Sequence, residues 1–204
     1  MKSYQQFCGL ARALDVVGER WTLLIVRELL DGPRGYNELL RGLPGIATNL
    51  LADRLRHLAD ADVVRHLYDG SYELTPWGSQ LREAVYALGR WAGPLMAQPQ
   101  GNDHYESGWI RHMVAARFDG HDPARHDMVV ELSIDGDTVT LESSNGTVEL
   151  TPGHATNPDV VISGPVEPAV GLLLGRIDKA TATDHGVTAH GPIKTLAGLR
   201  PRGV

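Results

Sequence analysis

The sequence predicts an α+β protein built as two halves, and three observations carry that reading. Apolar residues recur at helical spacing through most of the first 98 residues. After residue 107 they alternate with polar ones, as in half-buried strands. A polar stretch, Gln98-Pro99-Gln100-Gly101-Asn102-Asp103, separates the two patterns. At 204 residues the chain suits two ordinary domains better than one large one. The expected domains are therefore residues 1–98 and 107–204, with a linker near 98–106.

In the first half, Leu10, Leu14 and Val17, then Leu23, Leu24, Val26, Leu29 and Leu30, fall on helical faces, and Asp31-Gly32-Pro33 is a stop. Helices near 7–17 and 20–31 follow. A short third helix over 36–41 is closed by Gly42-Leu43-Pro44-Gly45. Thr48 reads as the N-cap of a fourth helix to about residue 59, with Leu51, Leu55 and Leu58 on one face. Residues 63–68 and 71–74 are β-prone runs flanking Asp69-Gly70, a type I′ hairpin signal. Thr75-Pro76 reads as N-cap and N1 of a last helix to about residue 95, presenting Trp77, Leu81, Val85, Leu88, Trp91 and Leu95. Helix, tight turn, helix and hairpin in this order spell a winged helix-turn-helix.

In that arrangement the helix after the turn enters the major groove and offers its N-terminal residues to base edges. Asn49, Ala52, Asp53 and Arg56 share the face opposite the leucines, His57 flanks it, and Thr48 at the N-cap is a further DNA-binding candidate. Asn suits adenine, and Arg suits guanine or a phosphate. Asp53 either accepts from a cytosine amino group or pairs with Arg54 or Arg56 in the free protein. Arg65 and His66 in the wing, and Arg34 and Arg41 beside it, are candidates for backbone or minor-groove contacts.

Charge gives this reading no help. Net charge is −6, with 11 basic and 11 acidic residues over 1–98 but 8 and 14 over 99–204, so the excess acid lies wholly in the second half. No apolar run reaches the ~18 residues of a membrane span, and the first residues lack a signal-peptide apolar region. A cytoplasmic protein without membrane contact is expected. One cysteine, Cys8, permits no intrachain disulfide, in keeping with a reducing compartment.

In the second half, Met128, Val130, Leu132 and Ile134 alternate with polar neighbours, as do Val139 with Leu141 and Val148 with Leu150. Asp135-Gly136 and Asn145-Gly146 supply turns, and residues 160–162 form a further short strand. Helical pieces over 109–118, 168–174 and 192–199 frame an antiparallel sheet, with the helices on one face. Enzymatic readings find no support. Gly-x-Ser-x-Gly, P-loop and dinucleotide motifs are missing, and His121 and His126, five apart around Asp122-Pro123, have no third ligand nearby. No catalytic residue, metal site or cofactor is expected.

Cys8 and the run Ala13-Leu14-Asp15-Val16-Val17-Gly18-Glu19-Arg20-Trp21-Thr22-Leu23-Leu24-Ile25 resemble the opening of the HxlR-type winged-helix regulators. So, in order, do Tyr36-Asn37-Glu38-Leu39, Pro44-Gly45-Ile46, Leu51-x-x-Arg54-Leu55-x-x-Leu58 and Tyr72-Glu73-Leu74-Thr75-Pro76-Trp77-Gly78. The resemblance covers about residues 7–95. It implies a homodimer built from the first and last helices of the domain, binding to palindromic promoter DNA, and no enzymatic activity. It also implies a second reading of Cys8, because some members use a cysteine there as a redox or electrophile sensor. A helix start favours the thiolate, whereas free cysteine is also commonly a small buried hydrophobe.

The second half is similar to the sterol-carrier-protein-like domain in Pro158-Asp159-Val160-Val161-Ile162-Ser163-Gly164, Leu172-Leu173-Leu174-Gly175-Arg176-Ile177-Asp178 and His190-Gly191-Pro192. That resemblance implies an apolar cavity between sheet and helices, with Trp109, Met113, Phe118, Met128, Leu172 and Leu173 as candidate wall. Three functions are then in view. One is a repressor or activator whose partner DNA affinity responds to a hydrophobic small molecule. Another is a redox switch through Cys8. The last is a lipid-binding protein whose winged helix mediates protein contacts.

Overall fold

The computed structural model describes residues 3–97, 108–118, 120–134 and 136–199. The linker expected near 98–106 and Asp135 of the Asp135-Gly136 turn lie outside the described residues. The chain divides into two compact units, Met1–Leu88 and Gly89–Val204.

In the first unit, α1 (Gly9–Val17) and α2 (Thr22–Leu29) are followed by a two-residue strand β1 (Arg34–Gly35), α3 (Tyr36–Gly42), α4 (Thr48–Asp60) and the hairpin β2 (Val64–His66) and β3 (Ser71–Leu74). These strands form one antiparallel sheet in the order β1-β3-β2. Ile25, Val26, Leu29, Leu39, Leu43, Ile46, Leu51, Leu55, Leu58, Val63 and Val64 are buried. The α4 leucines at i, i+4 and i+7 thus face inward, leaving the opposite face to solvent.

Three of the boundaries that differ from the sequence reading have a clear local reason. The second helix begins at Thr22 rather than near residue 20, because Trp21 sits in the left-handed region at φ 80° and turns the chain. Thr48 does not cap α4: extended Ala47 occupies that position and Thr48 is the first helical residue. The last helix is broken into a 3₁₀ turn at Gly78–Gln80, α5 (Leu81–Trp91) and a second 3₁₀ stretch at Gly93–Ala97. Pro94 accounts for the second break, since it removes a donor and disfavours helical geometry at Gly93. Thr75 does act as a cap, its Oγ1 accepting the Gly78 N–H at 2.9 Å.

The hairpin turn also differs. Of Asp69 and Gly70 only Gly70 has positive φ, 86°, whereas a type I′ turn needs both. The Leu67 carbonyl accepts the Gly70 N–H at 3.0 Å, and Leu67 N–H donates to Ser71 at 2.8 Å. The connection is thus a three-residue loop ending in a left-handed glycine.

The second unit packs α6 (Trp109–Phe118), α7 (Val166–Leu174), α8 (Lys179–Asp184) and a 3₁₀ stretch at Ile193–Gly198 with a five-stranded sheet. Its strands are β4 (Met128–Ile134), β5 (Asp137–Ser144), β6 (Thr147–Pro152), β7 (Val160–Gly164) and β8 (Thr188–His190), in the order β6-β5-β4-β7-β8. The inward residues of β4 join Ile110, Val114, Phe118, Leu173 and Leu196 in one core. Asn145 and Gly146 both have positive φ, 50° and 78°, and close the β5-β6 hairpin as a type I′ turn.

The sheet is mixed rather than purely antiparallel. β7 lies parallel to β4, on the side away from β5, and β8, which the sequence reading missed, pairs with β7. The crossing chain is pinned to β4: Glu131 accepts the Ala155 N–H at 2.9 Å, and Asp159 accepts the Val129 N–H at 2.8 Å. No described helix is long and apolar enough to cross a membrane.

Candidate nucleic-acid interface

The α3–α4 corner is set by buried apolar plugs and a glycine. Leu43 and Ile46 are buried inside the connection, the Ile46 N–H reaches the Leu43 carbonyl at 3.1 Å, and Gly45 takes φ 88°. Tyr36, at the start of α3, donates its hydroxyl to the Thr48 carbonyl at 2.6 Å and so ties the two helix starts together. The sequence reading missed this contact, for which helical periodicity holds no signal.

Thr48, Asn49, Asp53 and Arg56 are exposed along α4, and Ala52 is half-buried among them. Asn49 turns its Oδ1 to the Leu50 N–H at 3.0 Å. Asp53 and Arg56 form an ion pair within this face, as the spacing allowed, and the Arg56 side chain stays 75% exposed. On the wing, Arg65 pairs with Glu73 directly across the β2-β3 register, and the His66 ring lies 4.7 Å from that of Tyr72. Arg41 is exposed and reaches only the Asn37 carbonyl, at 3.3 Å.

Two of the candidate residues are committed elsewhere. His57 is half-buried, and its Nε2 lies 3.1 Å from the Val16 carbonyl at the open end of α1. Beside it, Arg54 pairs with Glu19 and donates to the Arg20 carbonyl. Both side chains brace α4 against the α1–α2 corner. Arg34 is also half-buried, reaching Glu28 at 3.3 Å and Asp31 at 3.5 Å. Glu28, only 3% exposed, further accepts from Arg27 at 2.8 Å. A buried carboxylate demands such partners, and that demand takes Arg34 away from the surface.

Cys8 is exposed at the position before α1, its carbonyl accepting the Arg12 N–H at 3.0 Å, so it is not the buried apolar cysteine of one expectation. Around it, Phe7, Leu10 and Leu14 are exposed, as are Trp77, Leu88, Trp91 and Leu95 further along. In the second unit, Phe118, Met128, Leu172 and Leu173 belong to the packed core, Met113 packs against it, and Trp109 is half-buried. Of these six, only Leu172 also lines the open groove of about 750 Å³ described there.

Known proteins match part of this chain. A family model described as HxlR-like helix-turn-helix matches residues 16–100. The HTH-type transcriptional regulator Rv3095 of Mycobacterium tuberculosis is 38% identical over 103 residues, 46% of this chain and 62% of that protein. The chain therefore spans less than two thirds of that relative. YkvN of Bacillus subtilis, also an HTH-type transcriptional regulator, is 30% identical over 48% of this chain and 89% of its own length. YodB of the same organism is 31% identical over 39% and 77%. The crystal structure of quinone-bound YodB overlays 42% of this chain and 96% of its own, at 30% identity and TM-score 0.40.

Proposed function

Because the chain belongs to the HxlR-like helix-turn-helix family, we propose that it regulates transcription, as a repressor, by binding promoter DNA as a homodimer through α4. The observation that carries this reading is the exposed Thr48, Asn49, Asp53 and Arg56 face, opposite the buried leucines on a helix braced at both ends. Asn49 and Arg56 read base edges once Asp53 releases the guanidinium; Arg41, Arg65 and His66 meet the flanking backbone. In the first unit exposed Phe7, Leu10, Leu14 and Leu88 offer apolar area for a second copy, and in the second unit exposed Trp91 and Leu95 do so. The C-terminal unit takes a small-molecule effector that alters the spacing of the two recognition helices. No catalytic step enters this reading.

The test is fluorescence anisotropy against the intergenic DNA beside the chain's own gene, over a salt series. Asn49→Ala and Arg56→Ala should each weaken specific binding by about 1–3 kcal/mol while leaving non-specific binding nearly unchanged. Equal loss on specific and random DNA would remove base reading by α4. A second reading rests on Cys8 being exposed at a helix start: a thiol oxidant weakens DNA binding of the wild type and not of Cys8→Ser. An equal response in both would remove Cys8 from the mechanism.

A further inference from the structure

The open groove of the C-terminal unit lies where the end of α7 turns into α8 and faces the residues that follow β8. Leu172, Ile177 and Ile193 form its apolar lining, and Arg176, Lys179 and Lys194 supply its charge. Six basic residues are described between 108 and 199, namely Arg111, Arg117, Arg125, Arg176, Lys179 and Lys194, so half of them line this one groove. That concentration stands in the half of the chain that holds all the excess acid. Among the described residues the one lining carboxylate, Asp178, is turned onto the first turn of α8, where Oδ1 accepts the Thr181 N–H at 2.8 Å. Lys179 donates to the Ala189 carbonyl at 2.8 Å and keeps donors to spare. Arg176 and Lys194 are exposed, and among the described residues neither is held by an ion pair.

We propose that this groove binds an amphipathic organic anion, its apolar body against Leu172, Ile177 and Ile193 and its acid group at Arg176, Lys179 and Lys194. Volume and chemistry fit: about 750 Å³ lies within the range of small-molecule sites, mostly apolar with a few convergent polar groups. Two left-handed glycines shape the walls. Gly175 ends α7 at φ 73°, and Gly191 takes φ 93° where a Cβ would stand 2.1 Å from the Asp159 carbonyl. The backbone therefore approaches closely at the groove edge and leaves the space to the ligand. Arg117 adds to the field: burial first, and then the Arg176 and Arg90 guanidiniums, hold its pKa down. An anion relieves that repulsion, and a guanidinium fork recognises carboxylate or phosphate alike.

This inference deepens the effector part of the proposed function, and calorimetry without DNA tests it independently of operator binding. The full chain is titrated with decanoate and decyl phosphate below their micelle concentrations, and with decanol and decyltrimethylammonium as uncharged and cationic counterparts. Saturable one-to-one binding of either anion is expected, at least tenfold tighter than the two counterparts, and the better anion identifies the acid group. Arg176→Gln with Lys194→Gln should weaken it at least tenfold, as should Ile193→Glu, with unchanged far-UV circular dichroism. Equal binding of the cationic probe, or unchanged anion affinity in the double variant, would overturn the assignment. So would lost DNA affinity in the double variant without any anion binding, which would make the patch a phosphate-backbone contact.

Discussion

The buried carboxylate of Glu28 offers the sharpest test of how the first unit is held together. Its Oε1 accepts from Arg27 Nη2 at 2.8 Å and Nε at 3.2 Å, and its Oε2 faces Arg34 Nη1 at 3.3 Å. A Cβ added to Gly42, the last residue of α3, would stand 2.4 Å from that Oε2 and 2.9 Å from the carboxyl carbon. Gly42 is therefore the space into which the carboxylate fits. Breaking a fully buried ion pair costs about 3–5 kcal/mol, but the Arg27 and Arg34 side chains are 17% and 29% exposed, and water recovers part of this. Glu28→Ala is expected to destabilise the unit by about 2–3 kcal/mol, and Gly42→Ala, by expelling the carboxylate, by about 2 kcal/mol. The two losses share one cause. In the Glu28→Ala background, Gly42→Ala should cost about nothing or regain up to ~1 kcal/mol of helix propensity. Native-state hydrogen exchange over α2 and α3 in the full chain measures each variant without requiring both units to unfold together. Additivity within about 0.5 kcal/mol would refute the shared space.

Gly78→Ala places a Cβ 2.0 Å from the Val63 carbonyl, which backbone alone must yield; a loss of about 2 kcal/mol or more by urea unfolding is expected, against near-neutrality for exposed Gly9→Ala. His57→Ala should weaken operator binding at unchanged salt slope, because a brace carries no counterion release, whereas a phosphate contact would reduce the slope by about one; anisotropy at several salt concentrations decides. The Asp15 carboxyl is held below its ordinary range, first by the Tyr4 N–H and then by the Ser3 hydroxyl. A depressed folded-state value means the tie between residues 3–4 and α1 is complete above the unfolded pKa and is lost as pH falls through the lower folded one. An NMR titration of Asp15 should thus show a midpoint below 3.8, and an Asp15→Asn variant should lose the pH dependence of the Tyr4 amide shift. On the proposed dimer, Trp91→Glu should shift sedimentation toward the monomer, since it charges an exposed apolar position; unchanged sedimentation would remove Trp91 from any self-contact.

Local rules carried the sequence reading a long way. The spacing of Leu51, Leu55 and Leu58 marks the buried side of α4 and so exposes Asn49 and Arg56. Alternation over 128–134 marks β4, and Asn145-Gly146 marks a turn that only residues tolerant of positive φ form readily. Each is a property of neighbours within a few residues, where side-chain periodicity and backbone sterics act. Long-range packing decided the rest. Nothing near residues 160–164 states that β7 lies parallel to β4, because hydrogen bonding to a strand some 30 residues earlier is a matter of topology. Nor does a polar residue on a helix flank announce its partner. His57 looks like a surface contact until α1 brings an open carbonyl to it, and Arg34 looks free until Glu28 is buried beside it. Periodicity says which face is hidden; the cost of burying a charge or an unpaired carbonyl then recruits whichever side chain the tertiary fold brings within reach.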